Sequence, residues 1–191
     1  MTDITPTASD TAELVARDKS TGGRLFVAAD AFLFLGFVFA YLYLRTLNNN
    51  GMWNPKGENP SGAMGVAVLV AVVVTAALLT VAGRRLAAVG PAGYRAPAVA
   101  AVAAGLVATL LAASQVFRPG FSPSHAGAFG SVFVGFMAFY FLHLLGGVYW
   151  VEIQVAQAPS EALRGDAPPA LLYWWFLAVV VAIFTVLFYV A

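Results

Sequence analysis

The sequence predicts an all-α integral membrane protein with five transmembrane helices, its N-terminus cytoplasmic and its C-terminus outside. Three observations carry that expectation. The 191 residues are 61% hydrophobic and 10% charged, with a mean hydropathy of +0.82, well above the roughly 45–50% apolar share of soluble domains. Five apolar stretches each reach the length of about 20 residues that a helix needs to cross a hydrocarbon core of about 30 Å. The basic residues also divide unevenly. With the N-terminus in the cytoplasm, Arg17, Lys19, Arg24, Arg84, Arg85, Arg95 and Arg164 fall inside, whereas Arg45, Lys56 and Arg118 fall outside, the bias that orients membrane proteins.

The first stretch, 25–44, is interrupted only by Asp30 and stops at Arg45. The second, 63–82, ends at Gly83-Arg84-Arg85. The third, 96–117, carries Pro97 in its first turn, where a missing N–H costs little, and stops at Arg118-Pro119. Glu152 closes the fourth, 130–151, and the fifth, 170–190, follows the Pro168-Pro169 pair. Residues 1–24 are polar, lack the pattern of a signal peptide, and are expected as a flexible cytoplasmic tail. The connections are expected as a Gly/Asn/Pro loop over 48–62, a basic turn over 83–95, a Pro/Gly/Ser loop over 118–129 and a mixed-charge linker over 152–169. None has the about 50 residues of a separate domain, so 25–191 is expected as a single five-helix unit. Tyr41, Tyr43 and Trp53 near one boundary, with Trp150 and Tyr173 near the other, fit interfacial aromatic belts.

Ten Lys and Arg against nine Asp and Glu leave a net charge of +1, too sparse for the basic stripe that nucleic acid requires. There is no cysteine, and His125 and His143 are the two histidines. A metal or haem site normally gathers several such ligands. The chain is therefore expected to hold no metal and no catalytic residue of its own.

Polar groups inside a span are costly and point to function or to helix contacts. Asp30 lies six residues past Arg24, roughly 9 Å into the helix. Burial penalises a charged carboxylate, which suits a proton relay. Alternatively, Asp30 snorkels to the interface or pairs with a neighbouring helix. His143 lies nine residues before Glu152, roughly 13 Å in and near the bilayer centre. Tyr140 and Gly147 are expected on its face of the helix, and its role is either a relay or ligand, or a hydrogen bond between packed helices. Gln115 suggests an interhelical hydrogen bond. Ala29, Gly36 and Ala40 in the first span, and Gly130, Gly135, Gly146 and Gly147 in the fourth, are expected at close helix contacts.

These pieces resemble subunit III of the haem–copper terminal oxidases, the cytochrome c and quinol oxidase family, in its short five-helix form. Residues 29–41, with Asp30, Gly36 and Tyr41 before Arg45, resemble the family's acid-bearing, aromatic-rich helix. Met52-Trp53-Asn54-Pro55 resembles its Trp-Pro turn. Gly130-Ser131-Val132-Phe133 followed by His143-Leu144-Leu145-Gly146-Gly147 resembles its histidine and Gly-Gly helix, and Tyr173-Trp174-Trp175-Phe176 the aromatic start of its final helix. Gln115 falls where family members often carry Gln. The sequence also departs from the family. Asp30 replaces a Glu, Tyr140 the first histidine of the pair, and Trp175 and Ala178 a His and an Asp; the acid a few positions after Gln115 is absent.

The resemblance implies a non-catalytic accessory subunit of a respiratory oxidase in a bacterial cell membrane. It would pack beside catalytic subunit I, in which haem and copper are expected, and with other oxidase subunits. It would bind phospholipid and support proton uptake and durability over repeated turnover. Asp30 would be the proton-relay candidate, with His143, Tyr140 and Gln115 the interhelical or lipid-cleft candidates. The related accessory subunit of nitric oxide reductases shares this five-helix plan and stays open, as does a small independent transporter. Few intramembrane polar groups, no inverted repeat and no broken helices weigh against the transporter.

Overall fold

The structure, a computed structural model, describes residues 8–55, 57–158, 160 and 163–189. These form α1 (Ala8–Leu47), α2 (Gly62–Val89), α3 (Pro91–Phe117), α4 (Gly127–Gln157) and α5 (Leu163–Tyr189). All five are long and apolar enough to cross a membrane, and no strand occurs among the described residues. The protein is a multi-pass, all-helical membrane protein.

Lipid tails are as apolar as leucine, so the spans associate through close packing and hydrogen bonds. The contact stripes follow from that. In α3 the buried positions Tyr94, Ala98, Ala101, Gly105, Ala108, Ala112 and Gln115 recur every three or four residues. In α2, Gly65, Val68, Val72, Thr75, Ala76, Leu79, Ala82 and Leu86 do the same. This spacing keeps one seam facing a partner, as in coiled-coil packing. The small side chains let α2 and α3 lie close along their length, and α2, α3, α4 and α5 close into a ring of four neighbouring helices. α1 lies outside the ring against α5 and α4. It is the most peripheral element, with 17% of its apolar window buried against 44% for α4 and for α5.

Trp174 is the large residue that the small ones make room for. A β-carbon on Gly105 would stand 3.0 Å from its ring, and one on Gly147 3.1 Å, so both glycines are required by close approach. Aromatic rings fill the seam towards the far end, where Phe136 stacks on Phe184 with centroids 3.6 Å apart.

Several elements differ from expectation. The tail expected over 1–24 is helical from Ala8, and residues 1–7 lie outside the described residues. Its Ala-, Leu- and Arg-containing sequence is compatible with helix. It docks on the start of α5, where Lys19 Nζ meets Asp166 Oδ1 at 2.8 Å and Gly23 abuts Pro169. The basic turn expected over 83–95 is helix on both sides of Gly90, whose φ of 87° lets the chain reverse within one residue. The linker expected over 152–169 shrinks because α4 continues to Gln157 and α5 begins at Leu163, ahead of the proline pair. Position 190, expected to end the fifth span, and Lys56 lie outside the described residues.

The small-residue contacts are only partly as expected. Ala29 and Gly36 face outward, and α1 instead buries Gly23, Asp30, Phe34 and Tyr41, spaced seven, four and seven apart. Gly130 and Gly147 are close-approach sites, whereas Gly135 and Gly146 face open space. Replacing Gly147 with Val should therefore lower stability by about 1–3 kcal/mol, seen as earlier thermal unfolding in detergent, while Gly36→Val should leave the transition nearly unchanged.

Candidate functional site

The two ionisable groups read separately from the sequence, Asp30 and His143, stand together. α1 and α4 run antiparallel, and Asp30 Oδ2 lies 3.5 Å from His143 Nε2. Both side chains are largely buried, 11% and 13% exposed, so the contact is shielded from solvent. Phe34, one turn after Asp30, places its ring edge-on to the imidazole at 5.0 Å, and Phe139 flanks it at 4.4 Å. Tyr173 of α5 donates its hydroxyl to the His143 carbonyl at 3.2 Å. Three helices thus converge on one charged or charge-sharing pair.

The other imidazole nitrogen decides the chemistry. His143 Nδ1 lies 2.8 Å from the carbonyl oxygen of Phe139, and since a carbonyl only accepts, Nδ1 carries a proton. Nε2 then faces a carboxyl oxygen of Asp30. Two bare lone pairs there would repel, so the contact is favourable when one further proton lies between them, on Nε2 or on the carboxyl group. At 3.5 Å the approach is longer than a normal hydrogen bond, and Asp30 Oδ2 has no hydrogen-bond partner among the described residues.

The remaining candidates lie apart from that contact. Tyr140 points into the α4–α5 seam, where its hydroxyl donates to the Leu177 carbonyl at 2.9 Å. Gly147 lies on that seam too, against Trp174 and Tyr173, so Tyr140 and Gly147 serve α5 while His143 turns towards α1. Gln115 of α3 accepts a hydrogen bond from the Tyr189 hydroxyl of α5. The space beside it is about 10 Å³, too small for an acyl chain. His125 is exposed in the loop before α4. Among the described residues, no three His, Asp or Glu side chains gather as a metal site would require.

Sequence reasoning missed a second polar junction. Tyr94 of α3 donates to Gln154 Oε1 at 2.5 Å, and Gln154 Nε2 donates to the Asp166 carbonyl at 2.6 Å. Asp166 also receives Lys19, so one cluster ties α1, α3, α4 and α5 at the end where α1 begins. A signal was present: Tyr140, Gly147 and Gln154 are seven residues apart and continue one stripe of α4. At the opposite end, Phe129 N–H donates to the Trp53 carbonyl at 2.9 Å, and Ser122 N–H donates to Glu58 Oε2 at 2.9 Å. The Trp-Pro loop is thereby fastened over the start of α4.

No protein-family model matches the chain. It is 28% identical over 177 residues to cytochrome c oxidase subunit 3 of Latimeria chalumnae, covering 87% of this chain and 67% of that protein. This similarity and the five apolar helices fit the subunit III family.

If Asp30 and His143 act as a pair, Asp30→Asn, His143→Gln and the double variant should be non-additive in stability, with a coupling of about 0.5–3 kcal/mol in a thermodynamic cycle. Strict additivity would show that the two side chains are energetically independent.

Proposed function

We propose that this chain is a non-catalytic accessory subunit of a respiratory haem–copper oxidase. In this reading it packs beside the catalytic subunit of a bacterial plasma membrane complex, with its N-terminus cytoplasmic. The observation that carries the reading is the similarity to a cytochrome c oxidase subunit 3 along 87% of the chain. Haem and copper belong to the partner subunit; this chain supplies a protonatable pair, a rigid helical wall and lipid contacts.

Within that complex Asp30 and His143 assist proton uptake. The support is physical: a buried carboxyl oxygen without a hydrogen-bond partner stands 3.5 Å from Nε2 of an imidazole whose Nδ1 faces a backbone carbonyl. In the proposed orientation Asp30 falls in the cytoplasmic half of the first apolar stretch, six residues past Arg24 and fifteen before Arg45. Lipid contacts and helix packing then sustain the complex through repeated turnover.

Two measurements test this. Gentle solubilisation followed by capture of this chain should bring down a larger, haem-bearing subunit with oxygen-reducing activity. A chain recovered alone would sink the reading, and a haem protein that reduces nitric oxide but not oxygen would transfer it to the nitric oxide reductase complex. In the captured complex, Asp30→Asn should slow proton uptake or shorten the active lifetime while haem content stays normal. Unchanged uptake and lifetime would reduce Asp30 to a packing residue.

A further inference from the structure

All five asparagines of the chain lie between positions 48 and 59, in the connection from α1 to α2. This connection is outside the spans, which end at Leu47 and resume at Gly62, and asparagine in contact with water is chemically labile. Its side-chain amide is lost when the backbone nitrogen of the next residue attacks the side-chain carbonyl carbon. The five differ in whether that nitrogen can attack. Asn54 and Asn59 are followed by Pro55 and Pro60, whose ring nitrogens carry no proton to lose. Asn48 donates its side-chain amide to the Leu44 carbonyl at 2.7 Å, which holds the leaving group in place. Both Asn48 and Asn49 precede another asparagine, whose Cβ crowds the attacking nitrogen. Asn50 alone precedes a glycine, Gly51. Both residues are exposed. Gly51 has a φ of 88°, which glycine adopts without strain, and a β-carbon there would meet nothing within 4 Å. Neither a substituent nor a neighbour therefore blocks the reaction. Asn50 Oδ1 lies 3.4 Å from the Met52 nitrogen, which folds the side chain back along the peptide bond to Gly51. Among the described residues no acceptor holds the Gly51 N–H.

We propose that Asn50 is a site of self-catalysed covalent modification, converted through a cyclic imide with Gly51 into aspartate and isoaspartate. The deprotonated Gly51 nitrogen forms a bond to Asn50 Cγ, the Cγ–Nδ2 bond breaks, and the amide nitrogen leaves as ammonia with the proton that Gly51 gave up. Water then opens the imide. Cleavage at Cγ leaves aspartate, and cleavage at the backbone carbonyl leaves isoaspartate, with the chain now running through Cβ and Cγ. Nothing is oxidised or reduced. Either product adds a negative charge, and isoaspartate adds one atom to the backbone. That extra atom falls inside the turn closed by the Trp53 N–H on the Asn48 carbonyl at 3.2 Å. The Trp53 carbonyl in turn accepts the Phe129 N–H at 2.9 Å, so the modification loosens the loop that fastens the start of α4. The site is remote in sequence from Asp30, His143, Tyr140 and Gln115, and it rests on the α1–α2 connection and not on the oxidase reading.

The test uses the full chain in mild detergent, aged at mildly alkaline pH in heavy-oxygen water and then digested and read by mass spectrometry. One heavy oxygen should enter position 50 ahead of the other four asparagines, faster as the pH rises because the Gly51 nitrogen must first lose its proton. Fragmentation should show isoaspartate among the products. Asn50→Gln, whose ring closure is larger and slower, should abolish the label, and Gly51→Ala should slow it. Hydrogen exchange at the Phe129 amide should be faster in the aged chain than in the fresh one, and should not change on ageing in Asn50→Gln. No label at Asn50, equal labelling of Asn49, or a rate that does not rise with pH would overturn the site. A fully labelled chain with unchanged exchange at Phe129 would overturn the loosening. Because the assay involves no partner subunit, its failure would leave the oxidase reading standing, and capture of the chain without a haem subunit would leave the modification site standing.

Discussion

The constraint on which the rest depends is the absence of water from the bilayer core. There, helices gain little by hiding apolar surface from one another, and a polar group must find its partner within the protein. The structure answers these demands with different residues, although among the described residues Trp174 Nε1, Gln115 Nε2 and Asp30 Oδ2 are buried without a hydrogen-bond partner. Alanine and glycine stripes bring α2 and α3 together at close range, and Gly105 and Gly147 shape the seat of Trp174. Polar side chains are then placed at seams: Tyr140 on the Leu177 carbonyl, Tyr94 on Gln154 Oε1 and Gln154 Nε2 on the Asp166 carbonyl. Threonines inside the spans turn back on their own helix, as Thr75 does on Ala71 and Thr109 on Gly105.

The position of α1 follows from the same rule. It lies outside the four-helix ring and buries little of itself, so small-residue packing alone would hold it weakly. Its attachment is polar at three heights: Lys19 to Asp166 near its start, Asp30 to His143 further along, and the Tyr41 hydroxyl to the Leu187 carbonyl at 2.6 Å near its end. Aromatic edges fill the intervals, with Phe34 against His143, Phe136 and Phe176. The Asp30–His143 contact is thus one of the ties that hold α1, the helix with the least buried apolar window.

The number of helices and their approximate centres were legible in the sequence because apolar runs of membrane length have few alternatives in lipid. Their ends were not. Polar helix former and polar loop look alike when read one residue at a time, so the sequence suggests a tail over 8–24 and a linker over 152–157 where the structure has helix. Asp30 and His143 were each legible as buried polar groups, but their pairing depends on how α1 and α4 rotate against each other. The small residues of α1 misled for the same reason: Gly36 suggests close approach, yet the face that meets α4 and α5 is Gly23, Asp30, Phe34 and Tyr41. Gln154 escaped notice because it follows a charged residue at the edge of a span, where hydropathy ends but the seven-residue stripe of α4 does not.

The positions at which the sequence departs from the oxidase subunit III pattern can now be judged by what occupies them. Loss of a functional group without replacement would leave a buried vacancy or an orphaned partner. Instead, Tyr140 is fully buried and bonds to the backbone of α5, Trp175 bonds to Thr80 of α2, and Ala178 is buried in the core. Tyr140 and Ala178 are thus packed inside the bundle, whereas Trp175 is 42% exposed and bridges α2 and α5 at the surface. Asp30, which stands where the pattern has a Glu, meets His143 rather than Tyr140, Trp175 or Ala178. The Asp30–His143 contact draws on α1 and α4, with the Tyr173 hydroxyl of α5 bonded to the His143 carbonyl, and involves none of Tyr140, Trp175 or Ala178.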